Sequence, residues 1–277
     1  MILKKEYLLG LIVFFSINPS ILAQSPNTQT DEEVVPYSWF PECIQTLFIE
    51  SDRIFEEKGA VAEIENLKQK RFNCEETSPV TRRIALKYLE YGDTTYDDKG
   101  AREDHDKKEL FKEGLRWSKK AVNEDTLDHL NYETASMGFA AVISVSGLRG
   151  KVNMADSVRI YAEDAIRLDP KNHRAHHILG RWHYEVSKLG WFPKLLAKVL
   201  FRNSTDGSYD QAVYYFNMAV ETKNTVVNRY WLGMVYLEEG DKEEALNQFK
   251  ILQDIPLVQH NDQYFKDEAK KLIKKYG

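Results

Sequence analysis

The sequence is short of the features that mark most catalytic and nucleic-acid-binding proteins. It has no excess of positive charge: 38 Lys and Arg stand against 43 Asp and Glu, a net of −5. Proteins that hold a phosphate backbone generally carry a basic stripe, so a nucleic-acid partner is not expected, and no helix-turn-helix or zinc-finger spacing occurs. There is no G-x-S-x-G elbow, P-loop or dinucleotide fingerprint, so neither an enzyme nor a bound cofactor is expected. Val, Ile and Thr never alternate for long with polar residues, which argues against strands. Long apolar runs are missing as well. The one run, Leu8 to Phe15 with Ile17, is shorter than the roughly 20 residues of a membrane-spanning helix.

What surrounds that run gives it a reading. Lys4 and Lys5 precede it, Asn18, Pro19 and Ser20 break it, and Ala23 supplies a small residue before Gln24. This is the pattern of a cleaved export signal over 1–23. No cysteine follows the run, so a lipid anchor is not expected. The mature chain is expected to be periplasmic or secreted, without a membrane span. Residues 24–40 are mostly polar, with Pro26 and Pro36, and bury too little to offset ordering entropy, so they read as a flexible leader.

From Pro41 to the end, a domain over 41–277 shows apolar positions at three- and four-residue spacing, the signature of amphipathic helices. About 12 are expected, near 41–58, 60–73, 79–92, 105–123, 126–146, 152–168, 172–188, 192–201, 208–222, 226–239, 242–252 and 262–276. Ser78-Pro79 and Ser208 mark helix starts, and Gly240-Asp241 marks a stop followed by a cap. The acidic stretch from Asp93 to Asp104 reads as a loop.

The helices repeat. Leu232-Gly233, Tyr236, Ala245 and Phe249 have the spacing of a tetratricopeptide unit. Gly233 and Ala245 are small where two helices cross, and the larger side chains fill the space around that crossing. The preceding unit begins at Leu179-Gly180 and resumes with Ala212, Phe216 and Ala219, so an insertion near 190–207 interrupts the penultimate repeat. The fold class expected is all-α, a tetratricopeptide-like solenoid of helical hairpins carrying that insertion.

The stretch Leu179-Gly180-Arg181-Trp182, then Trp191, Ala197-Lys198, Leu200-Phe201, Tyr209, Ala212 and Tyr215-Phe216, resembles the regulator of microtubule dynamics protein family. The resemblance extends from about Ser51 to Tyr276. It implies a tetratricopeptide-like domain with the same interrupted repeat, used as an interaction scaffold without a catalytic site. Animal members are associated with microtubules and organelle surfaces. The export signal is a departure from them, so the resemblance carries the fold over and not the partner.

In this architecture the first helix of each pair lines the face where partner peptides lie. Counted from the two Leu-Gly pairs, the groove-facing residues are Arg174, His177, Arg181, Tyr184, Tyr230 and Met234. Arg grips carboxylates bidentately and Tyr offers contact area at small entropic cost, so a protein or peptide partner is expected. Histidines 173, 176, 177 and 183 crowd one helix, with His173 and His177 on one face. A pair at that spacing can seat a metal, but no third ligand is evident. No metal is assigned, and a metal-dependent hydrolase on the His173–His183 helix is the competing reading. The insertion, with Trp191, Phe192, Leu195, Leu196, Val199, Leu200 and Phe201 beside Lys194, Lys198 and Arg202, reads as a lid packed on the solenoid or as a contact surface.

Cys43 and Cys74 are the only cysteines. Cys43 precedes Gly59 by 16 residues and Cys74 follows it by 15, so a hairpin about Gly59 brings them to one end. In a chain that leaves the reducing cytoplasm a disulfide is expected; two separate buried thiols are the alternative.

Overall fold

The computed structural model describes residues 37–94, 107–188, 207–259 and 261–277. The export signal, the leader up to Pro36, most of the acidic loop, the helix expected at 192–201 and the insertion up to Asp206 lie outside the described residues. The described residues hold eleven α-helices, which fall into two compact units divided after Thr126.

The first unit begins with α1 (Glu42–Lys58) and α2 (Ala60–Lys70). Ile44, Leu47, Phe48, Ser51 and Ile54 form the buried stripe of α1, and Ile64 and Leu67 answer it from α2. Gly59 turns the chain between them at φ 81°, its N–H donating to Phe55 O at 2.8 Å; that left-handed region is where glycine is needed. The helix expected to reach residue 73 stops at Lys70. There the chain bends so that the buried Arg71 guanidinium reaches Glu124 and donates to Thr81 Oγ1 at 3.1 Å.

α3 (Ser78–Thr94) and α4 (Lys107–Glu124) form the second hairpin. Phe111, Gly114, Trp117, Ala121 and Val122 give α4 its buried face. Tyr37, Phe48, Leu67, Val80, Ile84 and Trp117 fill the shared core. Cys43 and Cys74 are joined in a disulfide across the open end of the first hairpin, with Cα atoms 5.8 Å apart.

This core contains charge. Glu63, wholly buried on α2, lies 3.3 Å from Arg83 and 3.2 Å from Lys87 of α3, and accepts from Ser51 Oγ at 2.6 Å. Arg83 also pairs with Asp52 and donates to Tyr37 Oη at 2.8 Å, while Tyr37 donates to Asp52 at 2.6 Å. Burial pushes the Tyr37 phenol up to about 12. Ionised groups are tolerated in such a place only because each has partners.

The second unit contains α5 (His129–Ser144), α6 (Leu148–Leu168), α7 (His173–Lys188), α8 (Tyr209–Thr222), α9 (Val226–Glu239), α10 (Lys242–Ile251) and α11 (Asp262–Tyr276). α6 begins at Leu148, before the expected 152, because the break falls at Gly147 and Gly150 continues within the helix. Asp128, Ser208, Thr225 and Asp241 each accept a backbone N–H at the start of a helix, as capping residues do. Gly240 ends α9 at φ 90°, and the Asp241 N–H returns to Tyr236 O at 2.9 Å. At the crossings, Gly180 of α7 lies against the Phe216 ring of α8, and Gly233 of α9 against the Phe249 ring of α10. α11 closes this unit, with Phe265 buried against Tyr230 at 4.8 Å between ring centres.

Candidate functional site

The first helices of successive pairs, α5, α7 and α9, are linked by polar side chains. Residues 174, 177, 181, 184 and 188 follow alternating steps of three and four, so α7 carries them on one face. Each meets a neighbouring helix or its own. Arg174 Nε lies 2.6 Å from Glu133 of α5. His177 Nδ1 shares a 2.8 Å hydrogen bond with Asn228 of α9 and meets the Phe216 ring edge-on. Arg181 donates to Glu185 at 2.8 Å and stacks 3.3 Å above Trp231 of α9. Lys188 bonds Glu238 of α9 at 2.8 Å and donates to Tyr184 at 3.1 Å.

Thus the six groove residues do not form one open surface. Arg181 and Tyr184 are buried, at 0% and 2% exposed, because α9 lies over them with Trp231. Tyr230 turns to Phe249 and Phe265 and is buried. Arg174, His177 and Met234 stay partly exposed. The residues that complete the row, Glu133, Asn228, Trp231 and Glu238, escaped the sequence reading; a buried asparagine one turn into an apolar helix was the available signal.

Burial dominates the electrostatics. It lowers His177 to about 3, with Arg181 adding to the shift and the Asn228 bond opposing it. His183 falls to about 4 for the same first reason, with Arg159 second. His173 is held well below its usual value by burial, then by Arg174 and Lys223. These imidazoles are therefore neutral near pH 7.

The four histidines of α7 do not converge. His177 points at Asn228 and Phe216, while His183 stacks on Tyr215 at 5.4 Å. His176 bonds Pro170 O at 2.9 Å. Among the described residues no group of three His, Cys, Asp or Glu side chains is placed to hold a metal ion. No described helix is long and apolar enough to cross a membrane.

Comparison with known proteins agrees with this architecture. A thermophilic tetratricopeptide-repeat protein from Thermus thermophilus superposes with a TM-score of 0.56 at 18% identity, covering 83% of this chain and 98% of that one. It shows the fold alone: a tetratricopeptide-like solenoid of helical hairpins. Regulator of microtubule dynamics protein 1 from Bos taurus is 27% identical over 176 residues, 63% of this chain. The chain spans 56% of the bovine protein's length. The Caenorhabditis elegans protein of the same name is 23% identical over 229 residues, 82% of this chain and 98% of its own. Residues 47–277 match the family described as regulator of microtubule dynamics protein 1-3, and the chain belongs to that family.

Proposed function

We propose that this protein is a non-catalytic scaffold that binds a protein partner along the α5–α7–α9 row, outside the cytoplasm. The observation that carries the reading is the row itself. Stacked hairpins set three first helices side by side, and Arg174, His177 and Met234 keep part of their surface there. Repeat folds of this kind use that row to hold extended segments. The compartment rests on the signal-like segment 1–23 and is supported by the Cys43–Cys74 bridge, which suits an oxidising environment.

Photo-crosslinking tests it. A benzophenone side chain at Met234 should trap one discrete protein in native material, and the same group at Ile160, exposed on α6, should not. Identical products from both positions would refute the reading. The start of the mature chain, expected at Gln24, is read by mass spectrometry, and an intact Met1 would refute the export assignment. The family name favours a second reading, a microtubule partner for a chain kept in the cytoplasm. Cosedimentation with assembled microtubules, together with an intact N-terminus, is its outcome.

A further inference from the structure

Residues 37–40 precede α1 and fold into a turn, Phe40 N donating to Tyr37 O at 2.9 Å. Tyr37 holds φ at 64° and is the one non-glycine residue with positive φ among the described residues. A bulky side chain is strained there. What keeps it in place is the slot its side chain fills. The ring meets Phe48 of α1 edge-on at 5.2 Å and lies 5.2 Å from the Arg83 guanidinium of α3. The hydroxyl donates to Asp52 at 2.6 Å and accepts from Arg83 at 2.8 Å. Tyr37 is 2% exposed, but the Asp52 side chain beside it is 38% exposed, so the slot borders solvent.

α1 and α3 are the first helices of their hairpins, and their facing side chains continue past the slot, with the Lys87 ammonium 4.8 Å from the Phe55 ring. Repeat folds hold extended segments on rows of this kind. The rest of the 37–40 segment is lightly held. Phe40 meets Phe48 at 5.3 Å, and its carbonyl accepts from Gln45 at 2.6 Å. The Cys43–Cys74 bridge fixes the first turn of α1 immediately beyond, so the segment can leave without the helix.

We propose that residues 37–40 are a displaceable strap, and that the slot between α1 and α3 receives a tyrosine from an extended segment of a protein partner. This goes beyond the α5–α7–α9 row and does not depend on it. Tyr37 shows what fits: a ring for Phe48 and Arg83, and a hydroxyl that donates to a carboxylate while accepting from a guanidinium. The slot suits this side chain better than the backbone that delivers it. A partner's tyrosine, not tied to the start of α1, can enter at an ordinary φ. Only four residues separate Tyr37 from α1, about 17 Å of chain at full stretch, so exchanging straps between two copies would crowd their α1 helices together.

The test uses the full chain and a fluorescent peptide copying residues 31–40. Anisotropy should show the parent binding it weakly. Tyr37→Phe, which loosens the strap by removing its hydroxyl contacts, should bind about tenfold more tightly, and Tyr37→Ala more tightly still. The same peptide with its tyrosine replaced by phenylalanine should bind each variant about tenfold more weakly. If Tyr37→Ala does not melt cooperatively, Tyr37→Phe decides alone. No binding to folded variants, or equal binding of the two peptides, overturns the slot. A parent that stays unbound at peptide concentrations saturating the variants overturns the displaceable strap. A parent dimer that the peptide dissociates assigns the slot to a second copy and overturns the partner.

Discussion

Replacing Gly233 by Ala tests the packing rule that builds each hairpin. A Cβ on Gly233 would lie 2.6 Å from Phe249 Cε1 and 2.9 Å from Cδ1, well inside contact distance. The Phe249 ring cannot retreat easily, being wholly buried with Tyr230 5.9 Å away. Overpacking of this kind costs about 1–3 kcal/mol, and the better helix propensity of Ala returns up to about 1 kcal/mol. With the full propensity gain taken, a net loss of up to about 2 kcal/mol follows, read in urea melts. The decisive measurement is a double-mutant cycle with Phe249→Leu. Phe249→Leu itself destabilises, but it removes the ring atoms that Ala would strike, so in that background Gly233→Ala should be neutral or stabilising. A coupling energy below about 0.5 kcal/mol would refute the reasoning. The same argument applies at Gly180, where a Cβ meets three Phe216 ring atoms at 2.9 Å.

Three further outcomes are expected. Cys74→Ser opens a loop of sequence separation 31 and should cost about 3–4 kcal/mol on the chain-entropy model, read as a lower urea midpoint; an unchanged midpoint would count against it. Glu63→Gln leaves Arg83 and Lys87 buried with one carboxylate fewer and should cost about 3 kcal/mol by the same melts. His177, lowered to about 3 in the fold, takes up its proton first in the unfolded chain. Its contribution to stability is therefore complete above pH 6.5 and lost as pH falls from there toward 3. His177→Gln should flatten the acid side of the stability profile, and an unchanged slope would contradict the burial argument.

How far the sequence could be read depended on where the determining contact lay. Leu232-Gly233 and Phe249 were legible because a close helix crossing demands a small residue at a set distance from a large one. The spacing of Arg174, His177, Arg181 and Tyr184 puts them on one face of α7. It could not show that Trp231 from α9 would cover two of them, because that depends on how neighbouring pairs lean. Nothing local in the sequence sets Arg83, Lys87 and Glu63 apart from an ordinary solvated pattern of charges, because the counter-ion each meets in the core lies on another helix. The early stop of α2 had the same origin: Arg71 is drawn to Glu124, a residue 53 positions away.

The bridge between Cys43 and Cys74 also sets how the first hairpin opens. Chain and disulfide together make a covalent ring of α1, Gly59 and α2, so neither helix can fray far without carrying the other. Local opening must lift the ring as a unit from α3, breaking the Glu63 contacts to Arg83 and Lys87 together. In native-state hydrogen exchange the central amides of α1 and α2 should then share one opening free energy. Reduction of the bridge should split that isotherm in two, with α1, the outer member of the hairpin, exchanging first.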